Sequence, residues 1–515
     1  MRGPVLGIDL GTKNALCALL SERDEPIVVP GRWGKRITPA VTAWTESGWV
    51  AGEAALAGEI KRPLATWGDL KRKLGTPWKA RCGRISVTAE DAIAPLLSLL
   101  REDGEAWAGT FLESCVLAVP ASFSFAERSA MARAARTAGF TRVKMVNEPT
   151  AAALAFGERG RFLILDYGAG TVDLSVVESG GGVCQVLESG GIPSCGGWDF
   201  DAALAMYLAE RTGVNWGSKD SPFYRTLLYE AEQIKIALSN CMSYEWLPPP
   251  GLGAAPLSVS RMELEALIRP SIERVVAMAE DFATEYRPSR LLLVGGGSRI
   301  PLLRALLEKR VAPPGSLCLC PDEAVVAGTA LYGNPGARGR LLLDVLSEDL
   351  GILAADGAPV SLLKKGMPLP ARVEKKFISV GRGPFSLKVF QGERGRIITE
   401  ADVSGAGKGE AIALVFSVDE GGLLRIEICR ENGKRAVIPP LEIGASDGWS
   451  FVGGEDEIRR LEKKFALLSP LLTDEQQTRA EILFKTVKSL LDEGVGPEGL
   501  ESLGIMVDEM ERVAD

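Results

Sequence analysis

The chain has 515 residues, 46% of them hydrophobic and 24% charged, with a formal net charge of −8. This is a globular composition, long enough for two to four domains with their own cores. The acidic balance, without any concentrated Lys/Arg block, argues against a general nucleic-acid binder. No stretch reaches the roughly 20 apolar residues of a membrane span. The start, MRGPVLGIDL, lacks the long apolar region of a signal peptide. The nine cysteines are scattered and odd in number, which points to a reducing cytoplasm rather than a disulfide framework. Cys318 and Cys320 form a lone C-x-C that reads as two buried thiols. The chain contains no histidine. Ser-His-Asp triads, Cys-His dyads and His-ligated zinc are thereby excluded, and any proton transfer falls to carboxylates, lysines, hydroxyls or water.

In chain order, Val5 to Leu10 reads as a strand and Leu16 to Leu20 as a second. The turn between them carries Gly11, Thr12, Lys13 and Asn14. Backbone N–H groups at such a tip suit a phosphate, and Asp9 just before it would repel that phosphate unless a cation lay between. The stretch alone fits both a metal–nucleotide site and a hairpin with a polar tip. Residues 125–139 read as helix. Residues 162–178, FLILDYGAGTVDLSVVE, repeat the strand–turn–strand pattern, with Asp166 standing where Asp9 stands in the first. Two such hairpins face to face could grip a polyphosphate from both sides, their aspartates sharing one hydrated cation. A helix follows over 261–286, with Leu264, Leu267, Ile268, Val275 and Val276 on one buried face. Strands and helices alternate up to about residue 335, an α/β architecture.

NPGARGR (334–340) breaks this pattern and marks a boundary. Beyond it PFSLKVFQGE and residues 411–439 alternate with period two, turning at Gly421-Gly422 and Asn432-Gly433. Leu424, Ile426 and Ile428 point one way, Arg425 and Glu427 the other. From 455 the period is helical again: Ile458, Leu461, Phe465 and Leu468, then a capping box at Thr473 and Gln476, and a short helix after Pro497.

Read together, these segments resemble the DnaK-type seventy-kilodalton heat-shock chaperone family of the actin-like ATPase superfamily. The longest matching stretch is residues 116–157, VLAVPASFSFAERSAMARAARTAGFTRVKMVNEPTAAALAFG. GIDLGT, LDYGAGTVDLS, CGGWDFD, LLLVGGGSRIP, PDEAVVAGTAL and LLLDV accompany it in family order. The resemblance implies an α/β two-lobed, actin-like nucleotide-binding ATPase domain (1–336) and a hydrophobic interdomain linker (337–345). A substrate-binding antiparallel β-sandwich domain (346–445) and a short α-helical, lid-like segment (455–515) would follow.

Carried over residue by residue, the resemblance puts Asp9 and Asp166 on Mg²⁺ through water. It puts Gly11, Thr12, Lys13, Gly168, Ala169, Gly170 and Thr171 at the phosphates, with Gly196 and Gly197 beside them. Lys71 matches the lysine at the γ-phosphate, and Glu148 the acid near the attacking water. Glu232, Lys235, Ser239, Gly295, Gly296, Arg299 and Asp322 match the ribose and base contacts of ATP or ADP. Pro120 and Arg128 match a relay that reports the nucleotide state. Such chemistry is positioning plus charge neutralisation, which needs no histidine.

This sequence departs from the family at four places. Lys13 stands where threonine is usual, and could reach the phosphates or face solvent. Ala169 replaces a glycine. Phe385 falls where a smaller residue lines the peptide pocket, on a face shared with Leu387 and Val389. The C-terminal segment is short. The implied function is an ATP-dependent chaperone acting on unfolded polypeptides, with a J-domain co-chaperone and a nucleotide-exchange factor as partners. Two rivals stay open: an ATP-dependent regulatory or structural protein without general peptide binding, and an actin-like sugar kinase or filament protein.

Overall fold

The computed structural model describes residues 3–59, 66–82, 85–180, 183–193, 195–213, 221–249, 255–311, 321–334, 346, 348–354, 357–379, 383–392, 396–406, 409–419, 422–430 and 435–438. The chain divides into two compact units, 1–446 and 447–515, and the described residues all belong to the first. The expected linker (337–345), the helical segment (455–515) and the pair Cys318 and Cys320 lie outside the described residues. Among the described residues no helix is long and apolar enough to cross a membrane.

The first lobe is built on strands β1 (Val5–Leu10), β2 (Asn14–Leu20), β3 (Pro26–Val28), β4 (Ser114–Val119) and β5 (Arg142–Asn147), in the order β5-β4-β1-β2-β3. The short strand Thr38–Pro39 pairs with β2 as a sixth member. β1 runs parallel to β4 and antiparallel to β2, and Leu10 pairs with Ala15. That pairing starts the second strand two residues before the Leu16 that periodicity suggests, and shortens the turn to Gly11–Lys13. Helices α1 (Ala89–Ala108) and α2 (Phe125–Thr137) cover this sheet. α2 opens on a capping box: Glu127 N–H donates to Ser124 Oγ at 3.3 Å, and Ser124 N–H donates to Glu127 Oε2 at 2.8 Å.

The second lobe repeats the plan with β6 (Gly160–Tyr167), β7 (Thr171–Gly180), β8 (Val183–Pro193) and β9 (Arg290–Val294), in the order β8-β7-β6-β9. Its core is closed by α4 (Gly197–Thr212), α5 (Pro222–Leu238) and α6 (Arg261–Tyr286). The bounds of α6 are those the apolar periodicity predicts, with Leu267 at the edge of its buried face. Helices α3 (Glu148–Phe156) and α7 (Ala324–Gly333) cross between the lobes. One core cluster joins Val116 and Val146 of the first sheet, Ala151 to Ala153 of α3, Val325 of α7, and Phe162 and Ile164 of the second sheet. The crossing is close, since a Cβ at Gly328 of α7 would lie 1.7 Å from the carbonyl oxygen of Ala151.

The region after residue 346 forms two four-stranded sheets. One has the order β11-β10-β13-β14, from β10 (Leu350–Leu353), β11 (Pro359–Leu363), β13 (Gly383–Gln391) and β14 (Arg396–Ala406). The other has the order β12-β15-β16-β17, from β12 (Ala371–Ile378), β15 (Ala411–Val418), β16 (Leu424–Arg430) and β17 (Arg435–Ile438). Side chains of both sheets meet in one core that holds Leu350, Ile352, Phe416 and the predicted Leu424, Ile426 and Ile428. Leu387 and Val389 are buried in that core. They pack the two sheets together and do not wall an open channel, which corrects the expectation for that face. The side chain of Phe385 lies outside the described residues.

This β region rests on the first lobe. Phe125, the first residue of α2, belongs to the β core, and its N–H donates to Gln391 Oε1 at 3.3 Å. Leu423 packs on the core of the first lobe. The β region also touches the second lobe, where Lys365 pairs with Glu188 of β8 at 2.6 Å.

Candidate active site

The tips of the two predicted hairpins open onto one cavity of about 310 Å³. Asp9 and Asp166 enter from the ends of β1 and β6, strands that are otherwise almost wholly buried. Gly11, Thr12, Lys13, Gly168, Ala169 and Thr171 line it from the two turns. The second turn is clamped from behind by the start of α4: Trp198 N–H donates to the Ala169 carbonyl at 2.8 Å, and Gly197 N–H to that of Gly168 at 3.1 Å. Gly196 permits this approach, since a Cβ there would meet the Ala169 oxygen at 2.4 Å. Ala169 itself is accommodated, so its extra methyl does not close the loop. Gly295 has φ +76°, and a Cβ on it would fall 2.7 Å from Asp166 Oδ1.

Lys71 reaches the cavity from the 3₁₀ turn Leu70–Lys73, and Glu148 from the first turn of α3. The two form a buried ion pair, Nζ to Oε1 2.6 Å. Pairing across so many intervening residues puts Lys71, in a segment that otherwise reads as a solvated charge run, inside the protein. Burial alone would favour the neutral amine, but Glu148, Asp9 and Asp166 together hold the ammonium pKa above its ordinary value.

The carboxylate pKa values also rise, but toward the neutral rather than the charged form. Burial, and then the charge of Glu148, push Asp9 up to about 7; Asp322 adds to the shift and Lys71 opposes it. Asp166 is raised well above the usual carboxylate range by burial, then by Glu148, Asp9 and Asp173. Asp173, which follows the second turn on β7, is raised to about 6 by burial and Glu148, against hydrogen bonds from Thr171 Oγ1 (3.1 Å) and Ser122 Oγ (3.4 Å). Four acids thus converge on one ammonium. Asp9 and Asp166 resist ionisation because they are buried beside other carboxylates, and their hard oxygen donors fit Mg²⁺.

Asp173 and Arg72 line the same cavity, and the sequence reading assigned neither. Asp173 sat within the quoted LDYGAGTVDLS stretch, two residues past Thr171. Arg72 was visible only as the middle of KRK. A Cβ at Gly170 would lie 3.0 Å from Arg72 Cδ and 3.2 Å from Thr12 Cγ2, so the stem of Arg72 lies beside the meeting of the two turns.

Other predicted residues stand at the edge of this cavity or beyond it. Gly296, Asp322 and Pro120 line it; Gly170, Gly196, Gly197, Glu232, Lys235, Ser239 and Arg299 do not. The ribose and base group is engaged with itself. Lys235 pairs with Asp201 at 2.6 Å and donates to the Gly197 carbonyl at 2.9 Å. Ser239 Oγ donates to the Lys235 carbonyl at 3.2 Å, and Arg299 pairs with Asp322 at 2.5 Å. Lys13 lines the cavity, and its partly exposed ammonium pairs with Glu232. Arg128 is buried and donates through Nη2 to Asn147 Oδ1 at 2.5 Å, one residue before Glu148.

This two-lobed architecture around a phosphate-sized cleft defines an actin-like ATPase. The sequence model described as Hsp70 protein matches residues 5–84 and 78–464. The chaperone protein DnaK of Thermotoga neapolitana is 33% identical over 421 residues, covering 76% of this chain and 70% of that protein. The DnaK proteins of Thermotoga petrophila and Thermotoga maritima match at the same identity and coverage. The chain belongs to the Hsp70 family. It is an ATP-dependent chaperone of the DnaK type and an ATPase; members of the family bind ATP and ADP with Mg²⁺.

Proposed function

We propose that the cavity between the hairpins is the site of ATP hydrolysis, and that the β region is the client-binding domain coupled to it. The observation that carries this reading is the convergence of Asp9 and Asp166 on the buried Lys71–Glu148 pair. Asp9 and Asp166 would hold Mg²⁺ through its waters, with the turn residues 11–13 and 168–171 along the phosphates. Bound there, Mg²⁺ would neutralise phosphate charge and relieve the repulsion between the two aspartates. Lys71, kept protonated by its anionic neighbours, would supply positive charge where the transferred phosphoryl group gathers negative charge. Its shift toward phosphate frees Glu148 to orient a water. Thr171, fixed by Asp173, holds a hydroxyl at the edge of the same space. Each of these is a positioning or charge effect, the kind on which phosphoryl transfer rests.

The domain plan that fits this reading is the one expected from the sequence: ATPase domain 1–336, linker 337–345, β domain 346–445 and helical segment 455–515. The β region would sense nucleotide through α2. Gln391 holds the first turn of α2, Gly422 lies against the Arg128 guanidinium, and Arg128 reaches Asn147 beside Glu148. The proposed clients are extended polypeptides; a J-domain co-chaperone and an exchange factor complete the cycle in a cytoplasmic setting. The test is Mg²⁺-dependent ATP hydrolysis, its stimulation by an extended apolar peptide, and the loss of that stimulation in Arg128→Ala. ATP hydrolysis that no peptide stimulates favours the regulatory reading, which the burial of Leu387 and Val389 in the β core also supports.

A further inference from the structure

The ribose side of the cleft carries a four-charge cluster that no motif predicts. Lys13 of the first-lobe turn pairs with Glu232 of α5, and Lys235 of α5 pairs with Asp201 of α4. The pairs sense each other: Asp201 is raised by burial, while Lys235 and then Lys13 lower it and Glu232 raises it. Two cations and two anions are paired one to one, although Asp201 Oδ1 makes no hydrogen bond of good geometry. Lys13 alone among the four comes from the first lobe, and its bond to Glu232 therefore spans the cleft. Its side chain is 34% exposed and that of Glu232 17%, so solvent and salt reach the pair.

We propose that Lys13 is a positioning residue that clasps the ribose side of the cleft by occupying Glu232. A nucleotide must then displace the Lys13 ammonium before its ribose can use that carboxylate. This rests on the reading of the cleft as a nucleotide site. It adds that the protein's own lysine competes with the sugar, so affinity is reduced by the fraction of molecules in which the pair is closed. A neutral ligand feels the competition in full. An anionic one recovers part of it, because the displaced ammonium then faces the phosphates.

Calorimetry with adenosine, ADP and Mg·ATP separates these effects. Lys13→Thr should tighten adenosine by about two- to five-fold, the worth of a half-exposed ion pair, and ADP by less. Raising the salt should tighten adenosine binding to the wild type, because salt loosens the clasp, and leave Lys13→Thr unchanged. Lys13→Arg keeps a cation in place and should behave like the wild type. Adenosine affinity that is equal or weaker in Lys13→Thr, with the same salt response as the wild type, overturns the clasp while leaving the nucleotide site intact. Failure of the wild type and the variant to bind Mg·ATP at all overturns both.

Discussion

The two ends of the cleft treat charge in opposite ways. At the phosphate end Asp9, Asp166, Asp173 and Glu148 surround Lys71, and burial leaves three of the acids reluctant to ionise. At the other end Lys13, Glu232, Lys235 and Asp201 are matched one to one. The first end gathers an excess of buried acid around one ammonium; the second pairs its charges one to one. On the proposed reading, metal and phosphate would bind at the first end by relieving repulsion, and a sugar would bind at the second by exchanging partners.

The comparison can be broken most sharply at Lys71. Lys71→Ala should lower single-turnover hydrolysis by ~10²–10³ while ATP still binds; hydrolysis at the wild-type rate would take Lys71 out of the reaction. Next in size is a stability effect. Asp9→Asn removes a charge that the empty fold tolerates poorly, and should stabilise the nucleotide-free protein at pH 8 by on the order of 1–4 kcal/mol in thermal or urea unfolding. A destabilised variant would mean that the carboxylate already has a partner.

The same group gives a pH dependence with a definite sign. The pKa of Asp9 is raised in the folded state, so its contribution to stability is full below the unfolded value of 3.8 and is lost as pH rises through about 7. Between about pH 4 and 7 the nucleotide-free protein should therefore lose stability, by at most ~1.4 kcal/mol per pH unit for each proton released, and the loss should level off above pH 7. Mg²⁺ favours the ionised form, so Mg·ATP affinity should rise over the same range and binding should release protons, read as buffer-dependent heats. The smallest effect belongs to the other end. Glu232→Gln should cost the empty protein only ~0.2–1 kcal/mol, and Lys13→Thr a similar amount. A cost of several kcal/mol would show that the ribose-side pairs hold the lobes together.

Much of the phosphate end was legible in the sequence. Each hairpin places its aspartate, glycines and hydroxyls within a few residues, so local spacing carries the geometry of Asp9 and Asp166. The strands and the long helix 261–286 were legible for the same reason. Lys71 and Glu148 needed the family resemblance, because their meeting depends on how a 3₁₀ turn and α3 approach in space. The partner of Lys13 was not legible. Nothing near residue 13 in the chain points to α5, and a lysine in a phosphate turn invites a phosphate reading. Leu387 and Val389 show another limit: alternation gives a shared face, but not whether that face meets a partner peptide or the opposite sheet.

The crossing of α3 and α7 has a mechanical consequence. Where Gly328 meets the Ala151 carbonyl, no space remains for even a methyl group. A methyl there would act as a wedge, and the backbone atoms it pushes on belong to the two helices that join the sheets of both lobes. Because α3 also begins with Glu148, spreading the crossing would tilt the acid beside Lys71 as it moved the walls of the cleft. The close approach of the two helices that join the lobes thus depends on the missing side chain at Gly328.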